Sequence, residues 1–577
     1  MIPVPAPDVF PQFFNQTGTA PLVGGLLFTY IAGTSTKQAT YTDATAKVLN
    51  ANPIVLDSAG MTAIWIDPSL SYKFVLAPAN DTDPPQSPLR TQDNVVVSFN
   101  IGNVPFYPAT AAETAAGVVP TNYTYPAYDV RRYGAIGNNA ALDTQGWAQA
   151  LLLGGDIYGP PLTFITNTTQ TIAVAGTHIR AYGATLQASA TSNFQDVLYA
   201  SNLSGIVIEG LTADANHAAR GLTTRVCGIE LSNCTDSLLF KCTALNALGY
   251  AGISGYGVAF SGTTGQRNRA ESCLFLNCGT AALPADGIYT CGNQNLIVGC
   301  IANTCADTGF VIESSNQSGI IGCTANYCGA VAGITASNAA LAFSDNFIDG
   351  LTGTQWIGGV TGGIQIGIPN SVAATLQNTR ISGVNLSSGV STGPAINVRQ
   401  TGGTITQLTL AGITINGAAS QGILLNGSDV LLSGFNIQNC GAAAIQVQSG
   451  ANVLICDGQI LTNAATFGIY TSGVNNVVVS NTFINCNGMG TYGVYFDGTA
   501  TGCASLGNTV LSPTSTRIFA NAASAILGIG FVPSAAFCLP ASAMPTASVV
   551  GAVGHKLAIY DLNGNAIGFV PIYNSIT

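Results

Sequence analysis

Carboxyl groups are the residues of this chain best placed to do chemistry. Hydrolysis of a glycosidic bond needs two of them, about 5–5.5 Å apart for retention or about 6.5–9.5 Å apart for inversion. Asp and Glu together number only 26 in 577 residues, so an acid inside a patterned stretch is informative. Glu230 lies in GIEL, Asp286 in ADGIYT, and Asp307 and Glu313 in ADTGFVIE. Side chains alternate along a strand. Aligning GIEL, GVAF, GIYT and GFVIE therefore turns Ile229, Val258, Ile288 and Phe310 inward, and Glu230, Ala259, Tyr289, Val311 and Glu313 outward. Asp286 aligns with Thr308, which leaves Asp307 one repeat and one residue away, about 6 Å between backbones. Asp286 and Asp307 are thus the best catalytic pair within one chain. Glu313 lies about 16 Å along the strand from Asp286, and Glu230 is two repeats off, so these two would join a site only across a groove between subunits. DG and DTG before a strand are also ordinary turns, and that reading stands beside the catalytic one.

Other reactive residue types have simpler readings. TADANHAARG brings together Asp214, His217 and Arg220; an acid–base His is conceivable there, but the segment reads better as a turn. Cys273, Cys300 and Cys323 are each followed five residues later by Cys278, Cys305 and Cys328, with Cys242 in register before them. Such pairs can hold a metal or an iron–sulfur cluster. With only 3 His in the chain, the better reading is a column of stacked interior thiols, and neither metal nor cofactor is expected. Tyr289, Tyr470 and Tyr495 fall on outward positions and Trp356 in the irregular stretch DGLTGTQWIGG. Exposed rings there could stack on sugars or form subunit contacts.

The elements that must position these residues come from a repeat. A Gly or Ala followed by an aliphatic or aromatic residue recurs at Gly228, Gly257, Gly287, Gly309 and Gly333, with spacings of 29, 30, 22 and 24, and again at Gly422, Ala444, Gly468 and Gly493. Short β-branched runs at a period of about 22–30 residues, with no helical period, match one coil of a parallel β-helix. About thirteen coils fit between residues 200 and 510, a rod of about 60 Å, with Asn ladders at turns. A propeller blade needs about 40–50 residues, and no leucine-rich signature is present. One helix is predicted, in DTQGWAQALLLGG.

Composition narrows the partners. Charged residues are 7% and apolar residues 47%, against a usual charged share of about 25%. The net charge is −10 with no basic stripe, which disfavours nucleic acid. Pro and Gly interrupt every long apolar run, so no membrane insertion is expected. MIPVPAPDVF shows no basic or apolar signal region; assembly in a reducing cytoplasm with free thiols is the expectation. A surface of Ser, Thr, Asn, Gln, Gly and Tyr suits a neutral, sugar-like partner.

Residues 1–103 read as a separate β-rich module, with strands in GGLLFTYIAG, NPIVLDSAG, MTAIWIDP and YKFVLAP. Residues 104–127 are a Pro-rich linker, 128–510 the β-helix and 511–577 a C-terminal segment. The run LLFTYIAGTSTKQATYTDATAKVLNANPIVLDSAGMTAIWIDPSLSYKFVLAP resembles the virion-attachment domain of bacteriophage tailspikes and tail fibres. TAAETAAGVVPTNYTYPAYDVRRYGAIG and LAIYDLNGNAIGFVPIYN are similar to the entry and C-terminal segments of the same proteins, and the repeats resemble pectate-lyase-like right-handed parallel β-helices. The entry departs from that pattern: GNNAALDTQGW carries one acid, Asp143, where paired acids are usual, which bears on cap packing. The resemblance implies an all-β homotrimer. Its N-terminus would dock on phage tail or head–tail connector proteins, its β-helix would bind a bacterial O-antigen or capsule, and residues 511–577 would trimerise it. It would be assembled in the host cytoplasm and act at the cell surface from the virion. Two function classes remain open, an endoglycosidase that depolymerises the polysaccharide and a non-enzymatic adhesin or structural fibre.

Overall fold

The computed structural model describes residues 12–96 and 106–511, apart from 338–340, 358–361, 369–372, 391, 401, 462–466 and 486–491, together with the backbone of a few further strands. The chain divides into two compact units, Met1–Ile405 and Thr406–Thr577. Among the described residues no helix is long and apolar enough to cross a membrane.

The first unit opens with a four-stranded antiparallel sheet in the order Ile54–Val55, Leu26–Ile31, Tyr72–Ala77, Arg90–Val95. Alternation gives its strands two buried faces: Leu27, Tyr72 and Leu76 pack with Ile54, Ile64 and Ile66, while Phe28, Tyr30, Val75 and Ala77 form a second cluster. In the following segment, Thr110 caps the short helix Ala111–Ala115 in a capping box with Glu113. The buried Glu113 accepts from Tyr133 Oη at 2.8 Å and pairs with the buried Arg132, whose other donors reach the carbonyls of Tyr107, Pro108 and Tyr125. A charge at 0% exposure persists only when every donor is matched like this.

The predicted helix is present as Thr144–Leu153, with Trp147, Ala150 and Leu151 buried. Trp147 meets Phe164 edge-on at 5.5 Å and plugs the start of a parallel solenoid. Asp143, the lone acid of the entry segment, accepts from the backbone N–H of Gly137 at 3.1 Å and of Ile165 at 3.0 Å, which supports the cap-packing role.

Beyond the cap the chain winds as a parallel β-helix with three strand faces per coil. One inward column runs Ile157, Ile179, Ile208, Leu239, Ala270, Ile297, Ile320, Ile348, Ile381. A second runs Leu186, Ala213, Ala244, Phe275, Ala302, Ala325, Gly353, Leu386. The third, on what we call the long face, runs Leu198, Ile229, Val258, Ile288, Phe310, Ala332, Ile364, Ile396. The second unit repeats the pattern in columns such as Ile423, Ile445, Ile469, Val494 and Ile415, Ile437, Ile460, Ile484, Val510.

The repeated glycine has a steric cause. A Cβ on Gly257 or Gly287 would lie 2.5 Å from the carbonyl oxygen of the glycine one coil further on. One alignment needs correction. Ala332 pairs with Phe310, so Val331, not Gly333, occupies the glycine position after Gly309. Its bulk is accommodated by Gly353, where a Cβ would stand 2.5 Å from a Val331 methyl.

The cysteines stack as expected. Sγ of Cys300 and of Cys323 each lie 3.4 Å from the backbone N of the preceding cysteine in the column, Cys273 and Cys300, and every described cysteine is free. An Asn ladder runs beside them. Asn268 N–H donates to Asn295 Oδ1 at 2.9 Å, Asn295 N–H to Ser318 Oγ at 3.0 Å and Ser318 N–H to Asn346 Oδ1 at 3.1 Å. Asp214, His217 and Arg220 form a turn: Asp214 accepts from Gln187, Asn216 and Asn246, and Arg220 donates to three backbone carbonyls. Of the C-terminal segment, the backbone strands Thr516–Ala520 and Ile526–Leu527 and an antiparallel hairpin of Val553–Tyr560 with Ala566–Tyr573 are described; the remainder, including most of the segment expected to trimerise, lies outside the described residues.

Two outcomes follow. Mass spectrometry of protein alkylated under native conditions should find Cys273, Cys300 and Cys323 unmodified, and modified only after unfolding. Replacing Asn295 by Ala orphans the Asn268 N–H and the Cys291 carbonyl it now satisfies, at about 1–3 kcal/mol per group, and denaturant titration should register that loss.

Candidate functional site on the long face

The outward side of the long face in the first unit gathers most of the candidate residues. The register stacks Asp196, Cys227, Tyr256 and Asp286 in one column. Three residues further along these strands, Tyr199, Glu230, Ala259, Tyr289 and Val311 form a second. Parallel pairing therefore places acids one and two coils apart on a single face.

Four of the five carboxyls, Glu230, Asp286, Asp307 and Glu313, accept hydrogen bonds. Glu230, 6% exposed, pairs with Arg225 at 3.0 Å and accepts from Ser261 Oγ at 2.6 Å. Burial, with Glu230 beside it, lifts the Asp196 carboxyl to about 7. Asp286, 5% exposed, accepts from the Thr308 N–H at 2.9 Å. Burial first, then the charges of Asp307 and Glu313, push it well above the usual carboxylate range. Asp307 accepts from Ser254 Oγ at 3.1 Å, and burial raises it too. Glu313 accepts from Ser337 Oγ. Tyr256 and Tyr289 stack with ring centroids 4.6 Å apart, and the Arg225 guanidinium lies 4.9 Å from the Tyr256 ring.

Asp286, Asp307, Glu313 and Tyr289 thus share one neighbourhood. Glu313 stands five residues along its strand from Thr308, opposite Thr335 on the next coil, as the sequence geometry places it. Its charge acts on Asp286, Tyr256 and Tyr289. The register shifts between Thr290 and Gly292, and such a bulge re-aims side chains. Glu230 lies two coils from Asp286, with Tyr256 between them in the register. Trp356 requires a correction as well. It is 0% exposed, packed where Gly363 and Gly389 leave room for its indole, so it offers no stacking face. In the second unit Tyr470 and Tyr495 are paired across coils and half-buried. They belong to a four-ring cluster with Phe467 and Tyr492, spaced 4.8–5.9 Å.

Asp196, Arg225 and Tyr256 are residues of this face that sequence reasoning missed. A signal existed. Cys227, Tyr256 and Asp286 each precede the repeated glycine, and Asp196 occupies the same place one coil earlier, where Val197 replaces the glycine. Following that pre-glycine position through all coils would have assembled the column.

Comparison with known proteins agrees with this architecture. The family described as right handed beta helix region matches residues 362–527. No curated protein sequence matches the chain. Among solved structures, a tailspike double mutant of Escherichia coli bacteriophage HK620, in complex with a pentasaccharide, is 12% identical over 73% of this chain and 82% of that one, with a TM-score of 0.50. A family 28 exopolygalacturonase of Yersinia enterocolitica is 11% identical over 83% of this chain and 98% of its own, with a TM-score of 0.45. PfbA, a surface adhesin of Streptococcus pneumoniae, is 12% identical over 62% and 92%, with a TM-score of 0.40. The chain is a nearly all-β protein built on a right-handed parallel β-helix.

The raised carboxyls make folding proton-linked. A carboxyl whose folded-state value is raised contributes stability that is complete below the ordinary carboxylate range and is lost as pH climbs through the raised value. Asp286 and Asp307 both act in this direction. Thermal unfolding should therefore occur at a higher temperature at about pH 5 than at about pH 8. Asp286→Asn should narrow the gap; an unchanged gap would remove Asp286 as its source.

Proposed function

We propose that this chain is a receptor-binding subunit of the tailspike or tail-fibre kind, whose β-helix binds a bacterial surface polysaccharide and cleaves it as an endoglycosidase. The observation that carries the reading is the long face, where carboxyls with raised affinity for protons stand beside a stacked tyrosine pair on paired strands. Glycoside hydrolysis uses one protonated carboxyl as acid and one ionised carboxylate as base or nucleophile. Asp286, the more deeply buried and with two acidic neighbours acting on it, suits the acid; Asp307, hydrogen-bonded by Ser254, suits the partner. Tyr289 and Tyr256 offer aromatic surface to sugar rings, and Tyr470 and Tyr495 provide a second such surface in the other unit.

The long face also sets a preference among glycans. Asp196 and Glu230 face the guanidinium of Arg225, which is already paired, while the charged neighbours of Asp286 are the acids Asp307 and Glu313. A polymer of uronic acids would meet like charge, so the reading favours neutral or amino sugars. In the whole assembly the N-terminal module attaches the protein to phage tail or head–tail connector proteins, and three copies associate.

One observation favours the alternative of an adhesin that only binds. Asp286 is 5% exposed, so a polymer on this face meets the tyrosines before it meets this acid. Incubating the protein with purified host polysaccharides and following chain length separates the two. Shortened chains, with turnover falling about 10²–10⁴-fold in Asp286→Asn or Asp307→Asn while binding persists, establish cleavage. Binding without shortening establishes the adhesin. Neutral oligosaccharides should bind and polyuronates should fail to compete. Light scattering should give three times 58.6 kDa, and a monomer would refute the trimer.

A further inference from the structure

At one end of the long-face column three potential ligands converge in a way that neither glycan binding nor glycan cleavage requires. A carboxylate oxygen of Asp196, Sγ of Cys227 and a carboxylate oxygen of Glu230 lie within 4.8 Å of one another. All three residues are buried, at 7%, 0% and 6% exposure. Asp196 and Cys227 pair directly across adjacent coils, and Glu230 sits three residues along the Cys227 strand. The three ligands are therefore carried by two hydrogen-bonded strands and not by loops.

The hydrogen-bond inventory of this cluster does not close. Glu230 has a donor on each oxygen, Arg225 on one and Ser261 on the other. Cys227 Sγ receives a weak contact from Arg225 Nη1 at 3.6 Å. Asp196 Oδ1 is buried and has no hydrogen-bond partner. An orphaned carboxylate oxygen at 7% exposure is costly unless something bonds to it.

We propose that Asp196, Cys227 and Glu230 bind a thiophilic divalent cation of the zinc type. The donor set is one that such ions accept, with sulfur and carboxylate oxygen mixed. Ligand atoms around a tetrahedral zinc ion stand roughly 3.3–3.8 Å apart, given bond lengths of about 2.0–2.3 Å, which these side chains reach by small rotations. Binding converts the Cys227 thiol to thiolate and releases its proton to solvent. Three negative ligands then face the cation and Arg225, and the site becomes neutral. That balance gives Arg225 a reason to sit over two of the ligands: it cancels the one charge that a divalent ion leaves.

The test needs no substrate. Cobalt(II) is titrated into the reduced full-length protein, and the thiolate-to-cobalt charge-transfer absorption is followed with metal content per chain. The expected result is one cobalt per chain with that absorption, displaced by zinc. Cys227→Ser should abolish the absorption, and Asp196→Asn should weaken cobalt binding at least tenfold, the fold of each variant being checked by far-ultraviolet circular dichroism. If Cys227→Ser does not fold, the Asp196→Asn titration decides. Absence of the absorption in the unmodified protein, its persistence in Cys227→Ser, or unaltered affinity in Asp196→Asn overturns the site. The orphaned oxygen is then satisfied by a proton shared between Asp196 and Glu230.

Discussion

Parallel stacking of coils in register, at about 4.8 Å per step, is the constraint on which the rest of this structure depends. Each residue on a face has its counterpart one coil away as nearest neighbour, so whatever a position buries, it buries beside its own kind. Apolar columns gain most from this: Ile208, Leu239, Ala270 and Ile297 each rest on the next. Polar residues survive inside only by bonding along the axis, as Asn268, Asn295 and Ser318 do. Thiols are small enough to stack without partners of another kind. Glycine recurs where the backbone of the next coil comes too close for a Cβ, and where valine replaces it at Val331, a glycine one coil on makes the space.

The same geometry concentrates charge on the outer surface. Acids at nearby positions of neighbouring coils cannot turn far from each other, because the backbones that carry them are hydrogen-bonded. On the long face the protein meets this with neutral donors, Ser254, Ser261, Ser337 and the Thr308 N–H, and with one cation, Arg225. That supply falls short of full ionisation, so Asp196, Asp286 and Asp307 hold their protons more tightly than free carboxyls do. The contrast with Glu113 is instructive. Glu113 is equally buried, but Arg132, Tyr133 and the Thr110 N–H all bond to it, and its carboxyl is held below the ordinary range. Compensation thus sustains a structural ion pair near the cap, while incomplete compensation leaves the long face with carboxyls that hold their protons.

Aromatic residues divide along similar lines. Tyr256 and Tyr289 stack across two coils on the outer face, and Phe467, Tyr470, Tyr492 and Tyr495 form a cluster in the second unit. Trp356, which looks equally available in the primary structure, is enclosed because small residues on two later segments leave a hole of its size. The difference lies in what surrounds each ring and not in the residue type.

The amino-acid sequence by itself determined the solenoid. Repeated glycines, cysteines in register and β-branched runs without helical period specify stacked coils, because each coil packs only on its neighbours and the signal is local. It also determined the inward row of Ile229, Val258, Ile288 and Phe310, and the capping helix at Thr144–Leu153. The tertiary structure alone decided which outward residues meet. Asp196 joins Glu230 because coils of unequal length still align on the face, and Val331 displaces Gly333 from its apparent place. Spacing along a chain measures contour length, and where turns vary from coil to coil only the closed hydrogen-bond ladder converts that length into proximity.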